Sequence, residues 1–79
     1  MRVTDKVRVL GRGTVLCCEG EMPVMHIDDE VVTDDQTFRI RGIEMMEHDK
    51  KHCGLVLSPN DMVDAAFSTG DEITVINKQ

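Results

Sequence analysis

Apolar residues along this chain alternate or run in short blocks, and only one stretch spaces them as a helix does. Val7-Arg8-Val9-Leu10 is followed, after Gly11-Arg12-Gly13, by the β-branched run Thr14-Val15-Leu16-Cys17-Cys18. The pattern predicts one long bent strand, with the two glycines at a bulge or corner. Glu19-Gly20-Glu21 supplies a turn, and a second strand is expected from Met22-Pro23 through Val24 and Ile27. Asp28-Asp29-Glu30 breaks it, Val31-Val32-Thr33 is a short β-like piece, and Asp34-Asp35 favours a turn. The clearest alternation is Thr37-Phe38-Arg39-Ile40-Arg41-Gly42-Ile43-Glu44-Met45, where the apolar phase slips by one at Gly42 and so predicts a bulge.

Residues 47–52 read as a polar hairpin tip, and Cys53-Gly54-Leu55-Val56-Leu57 as a strand buried on both faces. After Ser58-Pro59, Asn60 is placed to cap a short helix carrying Met62, Val63, Ala66 and Phe67, which Gly70 ends. Glu72-Ile73-Thr74-Val75-Ile76 forms the last strand, followed by a frayed Asn77-Lys78-Gln79. The expected fold is all-β: a small closed β-barrel of five to six mainly antiparallel strands, with one short helical turn before the last strand. At 79 residues there is room for one core, so residues 1–79 are read as a single domain. No linker or repeat divides them. Met1 and the polar ending fit a complete short gene.

Composition narrows the chemistry. With no Trp or Tyr and two Phe, the core is expected to be Val, Ile and Leu with six Met as adaptable filler. The net charge of −6 opposes free binding to nucleic acid. The charge is uneven, however. Arg2, Lys6, Arg8 and Arg12 face Asp5 alone in the first twelve residues, whereas residues 19–35 hold seven acids and neither Lys nor Arg. A local basic patch therefore keeps an RNA-binding accessory as the weakest alternative. No apolar run is long enough to span a bilayer and no signal peptide opens the chain, so no membrane role and a cytoplasmic location are expected. Three cysteines, two of them adjacent, make a poor disulfide framework and fit a reducing compartment.

Three segments occur in an order that resembles the second, β-barrel domain of translational GTPases of the elongation factor Tu type. In that family a Gly-Arg-Gly-Thr-Val segment opens the barrel, as Gly11-Arg12-Gly13-Thr14-Val15 would here. A middle strand reads much like Arg41-Gly42-Ile43-Glu44-Met45-Met46. A Gly-Leu-Val-Leu run, a short acidic helical turn and a Gly-Asp pair precede the closing strand, matching Gly54-Leu55-Val56-Leu57, residues 61–66 and Gly70-Asp71. The resemblance covers roughly residues 6–76 and implies a barrel that docks on a partner. No phosphate-cradling Gly-x-x-x-x-Gly-Lys-Ser/Thr occurs, so the chain is not itself such a GTPase. The acidic residues 27–35 replace the family's glycine-containing turn with its basic residues, which speaks against transferring tRNA or ribosome binding.

Candidate chemistry is sparse. Cys17, Cys18 and Cys53 with His26, His48 and His52 invite a thiol or metal (zinc or copper) reading. Adjacent cysteines on a strand point to opposite faces, though, and no Cys-x-x-Cys exists, so no metal site and no cofactor are assigned. No nucleophile motif is present and a chain this small has little room for an active-site pocket, so no catalysis is expected. Arg39 and Arg41 are expected to project side by side, able to clamp carboxylates or phosphates or to pair with acids of this chain. Arg12, flanked by Gly11 and Gly13, is the residue expected to touch a partner. The leading expectation is a non-enzymatic adaptor that docks on a protein partner through residues 11–15, Arg39 and Arg41. The alternative is a small thiol or metal-binding protein that uses Cys17, Cys18 or the loop of residues 48–53.

Overall fold

A computed structural model describes residues 1–33, 35–46 and 49–78. Its elements are β1 (Arg2–Val9), β2 (Gly13–Glu19), β3 (Glu30–Val32), β4 (Thr37–Met46), β5 (Asp49–Ser58), α1 (Asn60–Ala66) and β6 (Thr74–Ile76). The strands form one antiparallel sheet in the order β1-β2-β5-β4-β3-β6. All-β architecture with one short helix before the last strand is as expected.

The closed barrel is not: the sheet has two ends, β1 and β6, with no ladder between them. The ends approach only where the first residues meet the segment leading into β6. Val3 N–H donates to the Asp71 carbonyl (2.8 Å), Gly70 N–H to the Val3 carbonyl (2.7 Å) and Ile73 N–H to the Met1 carbonyl (2.9 Å), around a single Arg2–Glu72 bridge. β6 itself is three residues long and is spent on β3, so β1 beyond that seam has only β2 as its strand partner.

The expected long strand across residues 7–18 is instead two strands joined by a hairpin. Arg12 N–H donates to the Val9 carbonyl (3.0 Å), closing a four-residue turn. Gly11 (φ 81°) and Gly13 (φ 94°) take the left-handed backbone region that side chains disfavour. Positive φ at both glycines reverses the chain rather than bending it. The expected strand through Val24 and Ile27 is also absent; residues 22–26 are irregular. The slip in β4 is where the alternation placed it. Ile40 pairs with Leu57 and Gly42 with Val56, leaving Arg41 as the extra residue. β5 begins earlier than its apolar run, at Asp49, and the run from Cys53 to Leu57 is covered on both faces as expected. Asn60 does not cap α1. Pro59 takes the cap position and Asn60 is the first helical residue.

The core is built from Val3, Leu16, Cys18, Val31, Phe38, Ile40, Cys53, Leu55, Leu57, Val63, Phe67 and Ile73. Both phenylalanines are inside, with ring centroids 5.3 Å apart and tilted by 50°, so the residue that ends α1 is packed against Phe38 of β4. Methionine is not the main filler. Met1, Met22 and Met25 pack at the margin of this cluster, while Met45 and Met62 are exposed.

Residues 77–78 are anchored rather than frayed, and Gln79 lies outside the described residues. Asp29 is only 1% exposed, and its carboxylate accepts hydrogen bonds from His26 N–H (2.9 Å), Asn77 Nδ2 (2.8 Å) and Lys78 N–H (3.0 Å). A buried carboxylate without donors is costly, so the irregular loop and residues 77–78 converge on it. Those bonds, that of Lys78 first, hold the Asp29 carboxyl below its ordinary value of 3.8. A lowered folded-state value means the group stabilises the fold above the unfolded value and ceases to as pH falls toward the folded one. Asp29→Ala is therefore expected to lower the thermal midpoint at pH 7. The gap between wild type and variant should narrow as pH drops below about 4, in thermal melts across pH 3–7. A gap that stays constant through this range would show that the carboxylate is not the anchor.

Candidate functional site

The register of the two central strands sorts every second side chain of β2 and β5. Leu16 faces Leu55 and Cys18 faces Cys53 on the inner side; Val15 faces Val56 and Cys17 faces Gly54 on the outer side. β1 and β4 extend the outer rows. One row runs Val7, Val15, Val56, Gly42, and the next Asp5, Cys17, Gly54, Glu44. Val15 and Val56 are 6% and 8% exposed although they point outward. Arg12 leaves the hairpin and reaches over β5 to form an ion pair with Glu44 on β4. A Cβ on Gly42 would lie 3.7 Å from the Arg12 guanidinium, and a Cβ on Gly54 would lie 3.0 Å from Val15 and 3.9 Å from the Glu44 carboxylate. The two glycines thus make a flat strip on which the Arg12–Glu44 pair lies.

The hairpin that carries Arg12 is held in place by α1. Asn60 Nδ2 donates to the Arg12 carbonyl (3.2 Å), and a Cβ on Gly13 would lie 2.7 Å from Asn60 Cγ. Leu10 stands fully exposed at the tip of this fixed hairpin, and Val7 is partly exposed beside the Val15 row. Arg39 and Arg41 are brought together by one acid, Asp28, which sits in a turn and not on a strand across from them as expected. Arg39 Nε lies 4.0 Å and Arg41 Nη1 3.8 Å from Asp28 Oδ1. Asp28 itself sits at φ 77° in the turn before β3. These pairs are exposed and each is worth about 0–1 kcal/mol, so they orient the arginines more than they stabilise the fold. The basic start of the chain is divided in the same way. Arg2 pairs with Glu19, Lys6 with Asp64 (3.5 Å) and Arg12 with Glu44, so three of the four cations do not combine into a phosphate-binding stripe.

The cysteines separate by face. Cys17 points outward between Asp5 and Glu44, and its thiol is raised above the ordinary value by burial first and then by Asp5, Cys53 and Glu44. It is held protonated, the opposite of what a nucleophile needs. Cys18 and Cys53 are directly opposite each other inside, 1% and 5% exposed. Cys53 is held below the ordinary thiol value by its hydrogen bond with Cys18, which outweighs burial; the same bond, with burial, pushes Cys18 up. Cys53 Sγ also lies 3.8 Å from Met1 Sδ, a sulfur neighbour that strand alternation could not reveal. His52 pairs with Glu19 on the outer side of the same strands, at 3.4 Å, and His48 lies outside the described residues. Among the described residues, no group of three or more His, Cys, Asp and Glu is arranged to hold a metal ion. Nor, among the described residues, is any helix long and apolar enough to cross a membrane.

Gly13→Ala tests the latch. A side chain there meets both a left-handed backbone and Asn60, and it is expected to cost about 1–3 kcal/mol in urea unfolding. Gly11→Ala meets the backbone term alone, because nothing lies within 4 Å of its Cβ position, and should cost less. Equal losses at the two positions would show that contact with α1 contributes nothing.

No protein-family model, no curated protein and no solved structure matches this chain, so its family is not assigned by likeness.

Proposed function

We propose that this chain is a non-enzymatic binding module that docks on a protein partner through the β1–β2 hairpin and the outer sheet face beside it. The observation that carries the reading is a fully exposed Leu10 on a hairpin tied to α1 by Asn60 and Gly13. A lone exposed leucine needs no explanation on a mobile loop. On a latched turn next to an arginine it resembles an interface anchor, because little conformational freedom remains to be lost on binding.

Arg12 supplies the charged half of the contact. Its pairing with Glu44 is half exposed, so a carboxylate on the partner can take the place of Glu44 without leaving a buried charge unpaired. Arg39 and Arg41 offer a second, weaker contact along β4, where Asp28 holds both. The partner is accordingly a protein surface with an apolar cleft for Leu10 and acids for the arginines. The order of the three motifs that resembles the second domain of translational GTPases supports a docking role of the same general kind. An odd number of thiols supports a cytoplasmic setting.

The test is affinity capture from native cells with the tagged chain, followed by binding measurements on the protein recovered. Leu10→Asp and Arg12→Glu are each expected to weaken binding at least about tenfold, as anchors at an interface centre do, and Arg41→Glu to weaken it less. Unchanged affinity in Leu10→Asp and Arg12→Glu, with the fold retained by circular dichroism, would overturn the hairpin as the docking element.

A further inference from the structure

The inner sulfur cluster lies on the other side of the sheet from the hairpin surface and is not used by it. Cys18 and Cys53 oppose each other across β2 and β5, Cys53 Sγ is 3.8 Å from Met1 Sδ, and Cys18 Sγ is 3.7 Å from the Leu16 carbonyl oxygen. Cys53 thus meets the Met1 thioether, and Cys18 stands opposite Cys53 on the same inner face. This spot is close to the surface at one point. A depression of about 570 Å³ is lined by Met1, Arg2, Glu19, Glu21, His52 and Glu72 among others, so Met1 borders both the depression and the thiols.

The donor set selects among metals. Thiolate and thioether sulfurs are soft ligands that favour Cu(I), and Cu(I) is content with few of them. Zinc in a closed site takes four Cys, His or carboxylate ligands, and the described residues bring no three such groups together. Calcium and magnesium require oxygen ligands, which the inner cluster lacks. The rim carries Glu19, Glu21 and Glu72, which favour the approach of a cation, together with Arg2 and Lys51.

We propose that Cys18, Cys53 and Met1 form a binding site for a Cu(I) ion, entered through the depression that Met1 borders. Binding makes metal–sulfur bonds to both cysteines and to the thioether. The protons still held by the two thiols leave to solvent, and neither copper nor sulfur changes oxidation state. Affinity therefore falls as pH falls, because protons compete for the thiolates. Cys17 takes no part, since the sheet stands between its side chain and the cluster.

The full chain is titrated anaerobically with Cu(I) held by a chromophoric chelator, and transfer is read from the loss of the chelator's colour. Wild type and Cys17→Ala are expected to remove one equivalent. Cys18→Ala and Cys53→Ala should bind weaker by about a hundredfold or more, each having lost a thiolate. Alanine keeps both positions apolar, and circular dichroism checks that these variants fold. X-ray absorption on the loaded wild-type protein, with selenomethionine in place of methionine, gives a reading that does not depend on any cysteine variant. A copper shell of sulfur with one selenium neighbour is expected. Uptake lost in Cys17→Ala, uptake kept in both inner variants, or a shell of nitrogen and oxygen would each overturn the site.

Discussion

The antiparallel register between β2 and β5 is the constraint on which the rest of the molecule depends. Side chains alternate across a strand, so pairing Leu16 with Leu55 sends Cys18 and Cys53 inward and Val15, Val56, Cys17 and Gly54 outward in a single stroke. A slip of one residue would exchange the two faces, exposing the leucines and burying the strip under Arg12. Such a slip is strongly disfavoured, because Leu16, Leu55 and Leu57 are fully buried and each is worth about 1.5–3 kcal/mol on leaving water. The sulfur pair and the strip under Arg12 are therefore two consequences of one pairing and cannot be shifted independently.

The second constraint acts at the other end of the sheet. β3 and β6 are three residues each, too short to hold that edge by strand pairing alone. Asp29 compensates by gathering three donors, one from its own loop and two from residues 77–78, and Asn77 Nδ2 extends the tie to the Val24 carbonyl (2.9 Å). Lys78 adds an ion pair to Glu30 at 3.0 Å. The acidic stretch that sets the net charge is thus partly structural. Asp28 steers Arg39 and Arg41, Asp29 anchors the chain end, and Glu30 begins β3.

How much of this was legible in the sequence depended on whether the signal was local. The bulge in β4 was readable because a period-two pattern changes phase within nine residues, around Gly42. The two-sided burial of residues 53–57 was readable from an unbroken apolar run. The β1–β2 hairpin was misread as a bend, because glycine permits either sign of φ and sequence does not say which is used. The sheet was expected to close, but closure depends on whether β6 is long enough to serve two partners, a property of distant chain segments. The candidate site divides in the same way. Arg12 could be singled out from its flanking glycines, but its partner Glu44 is 32 residues away and its resting place depends on β5 lying between. Opposite faces for Cys17 and Cys18 followed from alternation; the meeting of Cys18 with Cys53 and Met1 required the strand order.

Met1 links the interior to the unclosed edge. Its carbonyl accepts from Ile73 N–H at 2.9 Å in the seam between the sheet ends, while its thioether reaches Cys53. That seam is three backbone bonds around one bridge, less than a ladder, so its geometry depends on how firmly residues 1–3 are held from inside. A ligand that fastened the Met1 sulfur to β2 and β5 would fix the first residue from within and so favour the contacts at residues 70–73. In a sheet left open by a three-residue final strand, the sulfur cluster stands where an added bond would do most to draw the two ends together.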